Sequence, residues 1–274
     1  MTLIPNLDGR SRLYAVWGDP VAQVMTPTLI NPIFARHGHN LFAVPFHVTP
    51  ATFEATWHAF RAMSNVAGIG VTVPHKIAAA RLCDSLTPAA QAVGAVNSVQ
   101  RQPDGTMDGA LFDGLGFVGG LGAGRTRLKG ATVLQVGAGG AGRAIAHALA
   151  EEDVGRLAVI DRDPAAVDFT VAMVNRVTGR ETATRDMPDL GACTLLINAT
   201  PIGLESTDRF PVPLDSMAPD TIIADIASFA TPTRLMIEAR ERGFVTADGN
   251  AMLEAQIGLI AGYAAGLPAG SSLD

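Results

Sequence analysis

The sequence predicts an α/β fold in which parallel strands are covered by helices, and three observations carry that expectation. Short apolar runs alternate with helical stretches along most of the 274 residues. Hydrophobic residues make up 48% of the chain but aromatic ones only 5%, which leaves Ala, Gly and Val to fill the interior. Such side chains suit strands buried on both faces and helices lying close upon them. The third observation is the segment Val133-Leu-Gln-Val-Gly-Ala-Gly-Gly-Ala-Gly-Arg-Ala-Ile-Ala146. An apolar strand ends there at Gly137, and Gly139, Gly140 and Gly142 open an Ala-rich helix. Glycines at this spacing let a strand turn sharply into a helix and bring backbone close to a pyrophosphate. Orphan N–H groups and the positive end of the helix dipole then face the phosphates. About twenty residues further on, the run Leu157-Ala-Val-Ile160 ends in Asp161, where a dinucleotide fold places the carboxylate for a ribose diol.

The elements follow in order. Leu13 to Trp17 reads as a strand ending in the turn Gly18-Asp19-Pro20, Thr28 to His37 as a helix, and Leu41 to Phe46 as the next strand. Thr52 to Ser64 is amphipathic, with Phe53, Trp57 and Phe60 on one core-facing stripe. Gly68 to Val73 is a strand stopped by Pro74, and a helix follows from about Lys76. Gly114 to Arg127 is Gly-rich and reads as the connection between two domains. Thr194 to Ala199 and Thr221 to Asp225 read as buried parallel strands with polar ends. Ala251 to Ala265 reads as a helix whose pattern does not say which domain it joins.

Composition narrows the partners. A net charge of −6 and a pI near 5.5 argue against nucleic acid or an anionic membrane, while leaving room for a small anionic ligand at a local positive site. Cys83 and Cys193 lack metal-ligand spacing and sit in apolar surroundings, so buried free thiols are expected and no metal. No basic stretch leads into an apolar core at the N-terminus, and no run is long enough to span a bilayer, so a cytoplasmic protein is expected.

Few residues outside the glycine loop carry chemistry. Val71-Thr-Val-Pro-His-Lys76 sets a lysine just beyond a strand end, where it could relay a proton from an alcohol as hydride leaves. An exposed lysine at a helix start is the alternative, although that end of a helix disfavours a cation. Asp113 lies in the apolar stretch Ala110-Leu-Phe-Asp-Gly-Leu and could tune such an ammonium if the two meet. Asn97, in Gly94-Ala-Val-Asn-Ser98, could serve a substrate hydroxyl or a turn. His75 could also relay protons, but its flanking Pro74 and Lys76 point to the surface. Asn198, Thr200 and Asp225 fall at strand ends where a nicotinamide could lie, or where caps and turns need such residues.

Together the segments resemble the shikimate dehydrogenase family over nearly the whole chain. Gly18-Asp-Pro20, Val71 to Lys76, Gly94 to Ser98 and Asp113-Gly114 match its substrate-domain motifs in order. Gly137 to Gly142, Asn198-Ala-Thr-Pro201, and Asp248-Gly249 through Met252-Leu253 to Gln256 match the rest. The resemblance implies reversible oxidation of a ring hydroxyl of shikimate or quinate by hydride transfer to NAD or NADP. Lys76 and Asp113 would be the catalytic pair, and Thr72, Asn97 and Gln256 would hold ring hydroxyls. Gly137, Gly139, Gly140, Ala141, Gly142, Asp161, Arg162, Asn198, Thr200 and Gly249 would border the cofactor. It also implies that the C-terminal helix returns to the first domain. The domains would then be 1–113 plus 248–274 for substrate and catalysis, and 114–247 for a Rossmann-like dinucleotide fold. A monomer or homodimer is expected, acting on a small hydroxy acid.

Several positions depart from the family pattern. Where His-Ser-x-Ser-Pro is usual, with both serines on the substrate carboxylate, this chain has Gln23-Val24-Met25-Thr26-Pro27, leaving Thr26 alone. A strand asparagine becomes Gly70, the usual tyrosine of the carboxylate site becomes Ser228, and Leu111-Phe112 replace Asn-Thr. The catalytic pair is retained while the recognition rim is rewritten, so a related polyol acid is an alternative substrate. A nucleotide-binding sensor without catalysis is a further alternative. Asp161-Arg162-Asp163 stands where NADP-using members carry Asn-Arg-Thr. Carboxylates there accept ribose hydroxyls and repel a 2′-phosphate, with Arg162 stacking on adenine, so NAD is expected over NADP.

Overall fold

The computed structural model describes residues 7–203, 212–227 and 232–274. The chain forms two compact units, one made of Met1–Phe112 with Gln256–Asp274, the other of Asp113–Ala255.

The first unit holds β1 (Arg12–Gly18), α1 (Thr26–Arg36), β2 (Leu41–His47), α2 (Phe53–Ala62), β3 (Val66–Val71), α3 (Lys76–Leu82), β4 (Ser85–Leu86), α4 (Pro88–Val93), β5 (Ser98–Arg101) and β6 (Met107–Ala110). Its sheet runs β2-β1-β3-β5-β6-β4. The expected parallel sheet is found for β1, β2 and β3, but β5 is antiparallel to both β3 and β6. The cause is local. β5 and β6 are joined by a short turn whose Gly105 has φ +89°, and a tight hairpin reverses direction where a crossover helix would not. The predicted aromatic stripe is core: Trp57 is fully buried, and Trp17 of β1 meets Phe53, Trp57 and Phe60 edge-on.

The second unit holds α5 (Asp113–Gly120), a 3-10 segment (Gly122–Arg127), β7 (Thr132–Val136), α6 (Gly140–Glu151), β8 (Arg156–Ile160), α7 (Pro164–Thr178), β9 (Ala183–Thr184), β10 (Leu195–Asn198), β11 (Ile222–Asp225), α8 (Arg234–Glu241), β12 (Val245–Asp248) and the first turns of α9 (Gly249–Ala264). Its sheet, β12-β11-β10-β7-β8-β9, is parallel throughout. β8 lies on one side of β7 and β10 on the other, which makes the carboxyl end of β7 the switch point of a doubly wound sheet. Leu134, Leu196 and Ile223 on one sheet face pack with Leu235 and Met236 of α8.

Three expectations need correction. Gly114 to Arg127 is helical rather than a loose connection. Its glycines permit contact: a side-chain carbon at Gly114 would lie 2.5 Å from the Ala144 carbonyl, and one at Gly120 would lie 2.8 Å from the Ala251 backbone. Composition that signals a linker here serves close helix packing. Cys83 is only half-buried, although burial and the nearby Asp84 and Asp108 carboxylates push its thiol up to about 12; Cys193 is buried as expected. The division between units also falls later than 248, at Gln256, because the first turns of α9 pack within the second unit.

From Gln256 onward α9 belongs to the first unit. Gln100 donates to the Tyr263 carbonyl, the Tyr263 hydroxyl donates to the Asp108 carbonyl, and Phe112 meets the Tyr263 ring edge-on. Among the described residues no helix is long and apolar enough to cross a membrane, and no group of three His, Cys, Asp or Glu residues could hold a metal.

Candidate active site

In the second unit the glycine loop is shaped by contacts that exclude side chains. Gly137 has φ +110°, and a carbon added there would lie 2.4 Å from the Ala199 carbonyl oxygen. One added at Gly142 would lie 2.3 Å from the Gly137 carbonyl oxygen. Gly139, by contrast, has open space around it and caps α6 without a side-chain hydrogen bond. The first-turn N–H groups of α6, among them Gly140 and Ala141, therefore have no capping side chain. Approachable backbone, orphan donors and a helix dipole fit a pyrophosphate.

Asp161, at the end of β8, is tied into this loop. Its Oδ2 accepts from Ala138 N at 2.7 Å and its Oδ1 from Asp163 N at 2.9 Å. Asp163 caps α7 through Ala165 N, and Arg162 is exposed. Two further residues escaped sequence reasoning. Arg143 donates from Nε to the Ala138 carbonyl and sets its guanidinium 4.3 Å over the Phe169 ring. Burial lowers its pKa while the Asp163 and Asp161 carboxylates oppose that. Gln135, fully buried in β7, donates from Nε2 to both Gly137 O (2.8 Å) and Gly142 O (2.9 Å). Its only signal was a polar residue inside an apolar run.

Asn198 and Thr200 build a turn. The Asn198 Oδ1 accepts from the Thr200 hydroxyl and N–H, and its Nδ2 donates to the Ile202 carbonyl. Gly249 is buried with the Ile226 and Ala227 carbonyls where a side chain would go. Asp225 is fully buried and accepts from Ala227 N and the Thr233 hydroxyl. Desolvation raises its pKa above 3.8 despite these bonds. The folded state therefore holds this proton more tightly than the unfolded state, and stability falls as pH rises from 3.8 through the folded value. Asp225→Asn is expected to flatten that part of the curve, as measured by thermal midpoints from about pH 4 to about pH 7.

In the first unit, Thr72, Lys76, Asn97 and Gln256 are linked around the carboxyl end of β3. Thr72 N donates to Trp17 O, and Val71 N donates to Asn97 O. Lys76 begins α3, half-buried, and its carbonyl accepts from Val96 N. Asn97 and Gln256 are buried together: Asn97 Nδ2 donates to Gln256 Oε1 at 2.8 Å, while Asn97 Oδ1 accepts from Phe112 N at 3.0 Å. The asparagine is thus neither a plain turn residue nor idle.

His75 is not a surface residue. It is 2% exposed, bonded through Nε2 to the Val48 carbonyl and stacked on Phe53 at 4.7 Å, two partners distant in sequence that hold the ring in the core. Thr26 opens α1, half-buried. The space beside Gly70 is filled: an added carbon would lie 3.0 Å from the ring of Tyr14, whose hydroxyl bonds Ser98 at 2.7 Å. Asp113 heads α5 in the second unit, 4% exposed, directly after Phe112. Ser228 lies outside the described residues.

Comparison with known proteins sets these arrangements in context. Residues 16–99 match the model of the shikimate dehydrogenase substrate binding domain. A shikimate dehydrogenase (NADP(+)) of Symbiobacterium thermophilum is 33% identical over 257 residues, covering 89% of this chain and 86% of that protein. Among solved structures, shikimate 5-dehydrogenase from Listeria monocytogenes in complex with shikimate and NAD has TM-score 0.81 and 28% identity, covering 94% of this chain and 93% of that one. A ligand-free 5-ketofructose reductase from Gluconobacter sp. has TM-score 0.80 and 28% identity, covering 97% and 96%.

Proposed function

Because this chain belongs to the shikimate dehydrogenase family of NAD(P)-dependent oxidoreductases, we propose that it oxidises a ring hydroxyl of shikimate or quinate to the ketone, reversibly. The observation that carries this reading is the hydrogen-bonded set around Lys76, in which its carbonyl, Asn97, Gln256 and the backbone before Asp113 are held together. The bound dinucleotide supplies the hydride acceptor. Lys76 Nζ accepts the hydroxyl proton, and Asp113 orients the ammonium and the reacting hydroxyl. Thr72, Asn97 and Gln256 hold ring hydroxyls, with Thr26 and Ser228 on the rim. In the second unit Gly137, Gly139, Gly140, Ala141 and Gly142 receive the pyrophosphate, and Asn198, Thr200 and Gly249 border the nicotinamide.

NAD is the favoured cofactor. Asp161 is held at the loop by Ala138 N and Asp163 N, with acceptor capacity left for a ribose diol, and a second carboxylate stands at Asp163. Both would repel a 2′-phosphate, and Arg162 is free in position to lie along adenine. The experiment is initial-rate reduction of NAD and of NADP with shikimate and with quinate. Reduction of NAD at a higher kcat/KM than NADP is expected, and a clear NADP preference would reverse the cofactor assignment.

A second reading is favoured by one comparison. A reductase of a sugar, 5-ketofructose, resembles this chain over nearly its full length. A sugar has no carboxylate to anchor, which agrees with Val24 in the rim. Silence with both cyclic acids, together with turnover of a neutral polyol or ketose, would establish it.

A further inference from the structure

The geometry points to Gln135 as a positioning residue for the dinucleotide loop, acting by fixing one peptide unit. The Gly137–Ala138 peptide is held at both ends. Its carbonyl accepts from Gln135 Nε2 at 2.8 Å, and its N–H donates to Asp161 Oδ2 at 2.7 Å. A peptide is planar, so these two bonds together set its rotation. That rotation governs how the loop leaves Gly137, whose φ of +110° few other residues could supply.

The same Nε2 donates to Gly142 O at 2.9 Å, so one amide joins the entry of the loop to the first turn of α6. Gly142 makes the amide's approach possible, since a side-chain carbon there would stand 3.2 Å from Gln135 Nε2. Two carbonyl partners also fix which end of the amide is nitrogen.

The other polar atom of the amide argues against a role in packing alone. Gln135 Oε1 is buried without a partner, in a strand where the neighbouring Leu134 and Val136 are apolar. A buried acceptor left unmade is unfavourable, and leucine or methionine would avoid it. The amide is kept where it grips the two carbonyls that frame the phosphate-facing backbone. It carries no charge and lies beneath the loop, so it acts on NAD and NADP alike. Asp161, on the other end of the peptide, acts on their difference.

This inference rests on the loop being a dinucleotide site, which binding by the wild-type protein checks separately. Gln135→Met keeps the length of the side chain and removes the amide. Calorimetric titration of the purified full chain with NAD, and with NADP, is made without substrate and beside a thermal melt. The expected result is a Kd about tenfold higher for both dinucleotides. Asp161→Ala is expected to weaken NAD as well, and the double variant to weaken it by less than the product of the two, because both bonds hold one peptide. Affinities equal to wild type would overturn the proposal, whether or not the thermal midpoint moves, and so would strict additivity. If the methionine variant does not fold, Gln135→Leu carries the same titration, since leucine also fills an apolar strand position without donating. A wild-type protein that binds neither dinucleotide would overturn the cofactor reading and this inference together.

Discussion

Lys76→Ala is expected to lower kcat by about 10²–10⁴-fold while leaving NAD affinity unchanged. The side chain sits at the first position of α3, in the first unit, and no residue of the glycine loop belongs to that unit. Its removal is therefore expected to take away the proposed proton acceptor and to leave the proposed phosphate site intact. His75 cannot replace it, since both the Val48 carbonyl and the Phe53 ring hold that imidazole in the core. The measurement is a pair of numbers on one preparation: steady-state turnover, and calorimetric NAD binding without substrate. Turnover close to wild type would remove Lys76 from the chemistry. Equal loss of both would mean that the substitution damaged the fold.

Gly137→Ala is expected to have the second large effect, on affinity and stability together. At φ +110° an L-residue is strained by about 1–2 kcal/mol before any contact is considered. The new carbon would also meet the Ala199 carbonyl at 2.4 Å, and that carbonyl is backbone that cannot rotate away. The loop must open, which separates Ala138 N from Asp161 and the Gly137 carbonyl from Gln135. A thermal midpoint lower by about 4 °C or more is expected, with NAD affinity at least about tenfold weaker. Wild-type affinity in this variant would mean that the loop does not seat the dinucleotide.

The glycine loop was legible in the sequence because its geometry tolerates so few residues. At Gly137 a positive φ, and at Gly137 and Gly142 contact with backbone, admit glycine almost alone, so composition and conformation coincide there. The aromatic stripe of α2 was legible for a similar reason: Phe53, Trp57 and Phe60 repeat at the period of the helix they build. Where one residue type serves two purposes, the sequence misleads. The glycines of α5 resemble a linker, yet they let the helix lie against Ala144. The order of strands in the first sheet was not legible, since a hairpin and a crossover both begin with an apolar run. Gln135 and Arg143 were overlooked because each is a single polar residue whose partners are backbone carbonyls, and carbonyls leave no trace in a sequence. His75 was misplaced because its stacking partner, Phe53, lies far away along the chain.

The division of the chain also imposes an order of assembly during synthesis. The second unit is one continuous stretch, Asp113–Ala255, whereas the first is built from the strands and helices before Asp113 together with Gln256–Asp274. Domains fold as units while the ribosome elongates them, so the dinucleotide fold can be completed before the part of the protein made ahead of it. Until α9 is finished, Asn97 lacks Gln256, Gln100 lacks the Tyr263 carbonyl, and Phe112 lacks its ring partner. The surroundings of Asn97 are thus completed only after the whole dinucleotide fold has been made, when the returning segment of α9 follows it.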